Sequence, residues 1–156
     1  MPEHRPRVVF DCMIFLQAAA RRASPSGACL ALSEQGLLEL YVSPAILDEV
    51  QDVISRPKIR AKFLQLTDDV VAEFIARIER IAVRVDEVGA SITLVRDPKD
   101  EPYLNLSAAC QAEYLVSRDR DLLEGADAIA TKSPNLRIVD PVAFLVAFRA
   151  QLESNS

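Results

Sequence analysis

Four short apolar runs punctuate this chain, and each is followed by a stretch with helical periodicity or helix-capping signals. They are Arg7–Asp11 (RVVFD), Leu38–Val42 (LELYV), Tyr114–Val116 (YLV) and Leu136–Val139 (LRIV). Brief runs rich in β-branched and aromatic residues read as buried strands. Strands that alternate with helices are joined by crossovers, which gives a mainly parallel sheet covered on both faces. The fold class expected is therefore α/β. The first strand carries an oddity, a carboxylate, Asp11, inside the run RVVFDCMIFL. A lone buried carboxylate is costly unless it has a partner or a metal.

The intervening stretches carry their own signals. Ile14–Ala23 reads as helical, and Ser26-Gly27 opens a second helix that runs through Gln35 and stops at Gly36. Ser43-Pro44 supplies an N-cap followed by proline at the first helical position. The helix that follows places Ile46, Val50, Val53 and Ile54 on one face until Arg56-Pro57 interrupts it. A short basic helix covers Ile59–Leu66. Thr67-Asp68 caps a further helix with Val70, Val71, Phe74, Ile75, Ile78 and Ile81 at 3.6-residue spacing. Ala82–Val95 reads as extended with a turn at Gly89. Helices are also expected from Asp97-Pro98 to about Ala112, over Asp121–Ala126 and over Pro141–Gln151.

Composition removes many chemistries. A chain of 156 residues, 50% hydrophobic, fits one domain over 1–156 with its core at about 7–150. Cys12, Cys29 and Cys110 show no CxxC spacing and sit in apolar contexts, so they read as buried thiols. The one histidine, His4, leaves no basis for a zinc site or a histidine-based triad. Four glycines form no phosphate loop. No apolar run approaches the roughly 20 residues of a membrane helix, and MPEHRPR lacks the apolar segment of a secretory signal. A soluble cytoplasmic protein is expected. With 23 Asp and Glu against 18 Lys and Arg, the net charge is −5. That balance argues against broad nucleic-acid binding through charge and suits a carboxylate cluster for hard cations.

In open α/β sheets, ligands bind beyond the carboxyl ends of the strands. Asp11 closes the first strand, and Asp119 lies just past Tyr114–Val116. Glu49 borders the buried face of its helix, whereas Asp48 and Asp52 turn toward solvent. Asp100 aligns with Leu104, Ser107, Ala108 and Gln111 on an inward face. Asp11, Glu49, Asp100 and Asp119 are thus expected to converge at one sheet edge. Each also has a plainer role open to it. Asp11 could cap the next helix, and Glu49 could pair with Arg56 or Arg60. Asp100 could complete a capping box with Asp97, and Asp119 could be a loop acid beside Arg118 and Arg120.

The succession VVFDCMIF, VSPAILDEVQDVISRPKIR and RDPKDEPYLNLSAACQAEYLVSRDRDLL resembles a PIN domain. More narrowly, it is similar to the VapC-like branch that supplies toxins of bacterial toxin–antitoxin systems. The likeness runs from Val8 to Phe148. It implies a three-layer α/β/α Rossmann-like fold and a ribonuclease that uses Mg²⁺ or Mn²⁺. The family's acidic positions fall on Asp11, Glu49, Asp100 and Asp119, its hydroxyl residue on Ser117, and an accessory acid on Asp121. The resemblance also implies an RNA substrate, a small protein antitoxin and a homodimer. One position departs: the family usually follows the first aspartate with Thr-Asn or a similar polar pair, and this chain has Cys12-Met13. Methionine offers no amide donor and ligates hard cations poorly.

A divalent cation would reverse the local field of four carboxylates. The run Arg56, Lys58, Arg60 and Lys62 could then steer an RNA backbone, or it could be a solvated basic face or a contact for an acidic partner. Arg118 and Arg120 are further candidates for the same task. Competing functional readings are a PIN domain that only binds RNA or protein, motivated by Met13, and a phosphatase on a similar sheet. The phosphatase would want a second acid where Met13 stands.

Overall fold

The computed structural model of the chain describes residues 4–89, 98–127, 129 and 133–154. Its strands are β1 Arg7–Phe10, β2 Glu39–Val42, β3 Val83–Arg84, β4 Tyr114–Val116 and β5 Arg137–Val139. They form one sheet in the order β3-β2-β1-β4-β5, and every pairing is parallel. β1 is central, with Val8, Val9 and Phe10 fully buried. That burial is why the strand is an unbroken apolar run rather than an alternating one. The chain winds from β1 toward β3 on one side and from β4 to β5 on the other. The order reverses between β1 and β4, where doubly wound sheets form their ligand crevice. Phe10 pairs with Val116, so the residues after them, Asp11 and Ser117, leave the sheet side by side.

Eight helices stand among the described residues: α1 Cys12–Ala20, α2 Pro25–Glu34, α3 Pro44–Ile54, α4 Pro57–Lys62, α5 Asp68–Ile81, α6 Glu101–Cys110, α7 Arg120–Glu124 and α8 Pro141–Ser154. α6 packs against β1, β2 and β4, while α1 packs on α2 and α3, and α2 packs on α8. The result is the three-layer α/β/α arrangement that the alternation of strands and helices implies. Aromatic contacts tie the layers together. Phe10 meets Phe15 at 5.6 Å between ring centroids, and Phe144 meets the Tyr114 edge at 5.1 Å. No described helix is long and apolar enough to cross a membrane.

Helix starts follow the caps. Ser43 accepts from the Ile46 amide and Thr67 from the Val70 amide, as their sequence positions imply. Several starts differ from the sequence expectation. α1 begins at Cys12 rather than Ile14, because the Asp11 carboxylate caps it. α2 begins at Pro25, because Ser24, not Ser26, accepts the Gly27 amide. The basic helix covers Pro57–Lys62, ahead of the expected Ile59–Leu66. The extended segment after α5 enters the sheet as β3, with Tyr41 opposite Val83. The remainder of that segment, 90–97, and with it Asp97, lies outside the described residues. A 3₁₀ turn, Pro98–Asp100, leads into α6.

Gly27 marks the closest approach of α2 to the chain before it. A β-carbon there would lie 2.1 Å from the Arg22 carbonyl oxygen, a backbone atom that cannot swing aside. Gly27→Ala should therefore destabilise the fold by about 1–3 kcal/mol or more, despite alanine's better helix propensity. Urea denaturation of the two chains checks this, and an unchanged midpoint would mean that α2 can shift freely.

Candidate active site

Asp11 is 5% exposed, at the point where β1 ends and α1 starts. Both carboxylate oxygens are engaged. Oδ1 accepts the amides of Met13 at 3.0 Å and Ile14 at 3.1 Å. Oδ2 accepts the hydroxyl of Ser117, the fully buried residue that follows β4. The plainer role of Asp11, capping the next helix, and its burial are one arrangement. The Ser117 oxygen also accepts the Asp119 amide at 2.9 Å, and Asp119 in turn caps α7 by accepting the Asp121 amide at 2.8 Å. A single hydroxyl thus links the strand ends that carry Asp11 and Asp119.

Burial pushes the Asp11 carboxyl up to about 6. The hydrogen bonds from Ser117, Ile14 and Met13 oppose that rise, and the nearby negative charge of Asp119 adds to it. Desolvation outweighs three hydrogen bonds because none of those donors carries a full positive charge.

Glu49, half-buried on α3, has partners that the sequence did not disclose. Its Oε1 accepts the Cys12 thiol at 3.0 Å. Tyr103 on α6 hydrogen-bonds to Glu49 as well, and its hydroxyl accepts the Cys12 amide at 3.2 Å. Burial and the Glu49 hydrogen bond push the Cys12 thiol up to about 12, so it stays a protonated donor. The Tyr103 phenol is raised too, first by burial. The residues considered as partners for Glu49 are occupied elsewhere. Arg56 pairs with Asp52 at 2.8 Å, and Arg60 pairs with Asp68 at 2.9 Å. Tyr103 could have been suspected from its place three residues after Asp100, a neighbouring position on a helix. Cys12 carried no such signal, since a cysteine in an apolar run is ordinarily an inert core thiol.

Asp100 is buried at the end of the 3₁₀ turn and makes no side-chain cap bond to α6. Met13 is 41% exposed at the start of α1. Within the basic run, Arg56 and Arg60 hold the ion pairs just given. Lys62 lies over the Phe63 ring at 5.3 Å, and Lys58 is exposed.

Ser117 therefore joins Asp11 to Asp119, and Cys12 and Tyr103 attach Glu49 to the residue beside Asp11. Among the described residues, however, no three Asp, Glu, His or Cys stand close enough to hold a metal ion. Of the four acids expected at one point, Asp11 and Asp119 are linked through Ser117, and Glu49 is bonded to Cys12. In kind, the donors fit a hard divalent cation: all are carboxylate oxygens, and the buried Asp11 forms no ion pair among the described residues.

A model of the PIN domain matches residues 7–121, from β1 into α7, a span that includes all six candidate acid and hydroxyl positions. The chain belongs to the PIN domain family. PIN domains are generally nucleases and typically use divalent metals. No curated protein matches the chain.

For this PIN domain, the state of Asp11 has a measurable sign. Folding raises the carboxyl from 3.8 to about 6, so the folded state binds that proton more tightly than the unfolded chain does. The associated stability is complete below about pH 3.8 and is lost as pH rises through about 6. The full loss corresponds to about 3 kcal/mol. Asp11→Asn should thus stabilise the metal-free protein well above pH 6, with the gain fading near pH 4. Thermal melts across pH in EDTA read this out. An equal or lower melting temperature for the variant at neutral pH would show that the Asp11 charge is already compensated.

Proposed function

We propose that this PIN domain is a metal-dependent endoribonuclease, soluble in the cytoplasm, and the toxin of a toxin–antitoxin pair. The family match supports nuclease chemistry. The observation that carries the site is the buried Asp11, kept at the switch point of the sheet and joined to Asp119 through Ser117. Asp11, Asp100 and Asp119 would hold Mg²⁺ or Mn²⁺, and Glu49 would complete the site or orient the attacking water. Such an ion supplies an activated water and charge stabilisation for phosphodiester hydrolysis. Ser117 fixes the Asp11 rotamer by donating to it, and fixes the Asp119 loop by accepting from it. Cys12 and Tyr103 hold Glu49 in place. Asp121 contributes its amide to Asp119, which makes it an accessory residue. In the same proposal a small protein antitoxin covers the site, and two copies associate through helices. The exposed Arg56–Asp52 pair is weak enough to give way to a phosphate, and among the described residues Lys58 and Lys62 form no ion pair.

Met13 favours a second reading, a PIN domain that binds RNA or protein without cutting. The exposed side chain has no amide to offer beside Asp11.

Cleavage of single-stranded RNA with Mg²⁺ or Mn²⁺ separates the two. The expected result is cleavage by the wild-type chain that EDTA abolishes. Asp11→Asn and Asp100→Asn should each lower the rate by about a hundredfold or more. Equal rates for wild type and variants would assign the activity to a contaminant. If no chain cleaves and Met13→Asn gains activity, the second reading holds and that position is its cause.

A further inference from the structure

A cavity of about 580 Å³ is walled by the end of α1, the start of α2, the end of α4 and the starts of the segments that follow β4 and β5. Its charged lining residues are Arg21, Lys62, Arg118 and Asp140. Arg118 follows β4 and Asp140 follows β5, so the cavity lies at the sheet edge that carries Asp11 and Asp119. Arg118 stands between Ser117, which holds Asp11, and Asp119 itself.

Most arginines along the chain from Arg5 to Arg84 are committed to carboxylates, through Glu39, Asp52, Asp68, Glu34, Glu73 and Asp86. Arg22, Arg120, Arg137 and Arg149 enter no such pair among the described residues, and what sets this cavity apart is that it gathers three such cations in one place. Among the described residues, none of Arg21, Lys62 and Arg118 forms an ion pair, although Asp140 shares the lining. The Asp140 carboxylate is instead spent on the Ala143 amide at 2.7 Å, capping α8. Gln17 adds a neutral donor. Its Oε1 accepts the Ser26 hydroxyl at 2.7 Å, and its amide N–H groups remain as donors. Three unpaired cations, an amide donor and the α2 N-terminus around one cavity make a seat for a phosphate group.

We propose that this cavity binds one backbone phosphate of a single-stranded RNA, a phosphate flanking the bond presented to the acids. The proposal deepens the ribonuclease reading and takes its choice of ligand from it. It also explains how a chain of net charge −5 can hold a polyanion: attraction is concentrated in one cavity at the sheet edge that carries Asp11 and Asp119 rather than spread over the surface. Because Arg118 belongs to the loop of Asp119, a strand seated here is delivered to the acids by the same segment that positions one of them.

The test is binding of a fluorescently labelled single-stranded RNA without terminal phosphates, followed by anisotropy in EDTA, where cleavage does not interfere. The probe offers only backbone phosphodiesters. The triple variant Arg21→Gln, Lys62→Gln, Arg118→Gln removes the cavity's cations. A charge-matched control, Arg80→Gln, Arg137→Gln, Arg149→Gln, removes as many elsewhere. The cavity variant should bind about tenfold or more weakly, and its log K against log salt should flatten by about 0.7, the slope of one lost phosphate contact on a single strand. The control should stay within a factor of about two of wild type in affinity. Equal weakening of both variants, no weakening of the cavity variant, or no saturable binding by the wild-type chain at low salt would overturn the proposal. Thermal melts establish that each variant is folded, and the single variant Arg118→Gln repeats the measurement if the triple is not. Wild-type cleavage with Mg²⁺ keeps the two ideas apart. Cleavage with cavity-independent binding leaves the nuclease reading standing without the seat, and cavity-dependent binding without cleavage leaves the seat standing without the nuclease.

Discussion

The Asp11 carboxylate is the joint on which this edge of the molecule is built. One oxygen starts α1 by accepting two amides, and the other accepts the Ser117 hydroxyl at the end of β4. Through Ser117 it also fixes the loop from which Asp119 caps α7. Two strand-to-helix turns on opposite sides of the switch point are thereby held in one hydrogen-bonded unit. The arrangement leaves a carboxylate in a place that favours its neutral form. A fold selected for stability alone has a simpler solution, an asparagine that caps equally well and carries no charge. Keeping an acid there makes sense where a cation is to be received, and this is the physical basis for linking the joint to chemistry.

The Cys12-Met13 pair shows how much of a polar motif the backbone can preserve. Met13 brings no side-chain amide, yet its main-chain N–H still donates to Asp11. Cys12 brings a thiol, and burial keeps it protonated so that it donates to Glu49. A thiol is a weaker donor than a hydroxyl, and the Tyr103 hydrogen bond to Glu49 supplements it. What this chain loses at these two positions is confined to the groups beyond the β-carbon of residue 13. The capping of α1 and the anchoring of α3 to α1 are intact.

The fold was legible because its strands are buried on both faces and so stand out as apolar runs, while Ser43-Pro44 and Thr67-Asp68 announce their helices by cap chemistry. β3 was harder to place. It has two residues, both exposed, and only its pairing with β2 makes it a strand. The start of α1 lies two residues ahead of the expected Ile14, because Asp11 ends β1 and caps the helix at once. For the site, order along the chain was enough to put Asp11 and Asp119 at one edge, since a parallel sheet leaves no other choice. Helical angle placed Glu49 beside the buried face. Its partners were not legible, because Cys12 and Tyr103 reach it from α1 and α6, elements far from α3 in sequence. Nor could periodicity supply the spacing among the acids, which depends on side-chain rotamers.

Charge placement completes the argument. The chain carries a net −5, and simple addition would have it repel any polyanion. Screening in physiological salt limits each exposed charge to about 8 Å, so a ligand at the sheet edge responds to its immediate neighbours rather than to the total. Those neighbours are of two kinds. Asp11 and Asp119 are partly withdrawn from water and engaged by hydrogen bonds, whereas Arg21, Lys62 and Arg118 are exposed around a cavity and form no ion pairs among the described residues. The loop Ser117–Asp119 belongs to both. Opposite charges at one sheet edge can neutralise each other in pairs, as Arg56 and Asp52 do on α3 and its flank. Here the hydroxyl of Ser117 and backbone amides satisfy the acids instead, and that substitution of neutral donors for arginines is what leaves the cations available to something else.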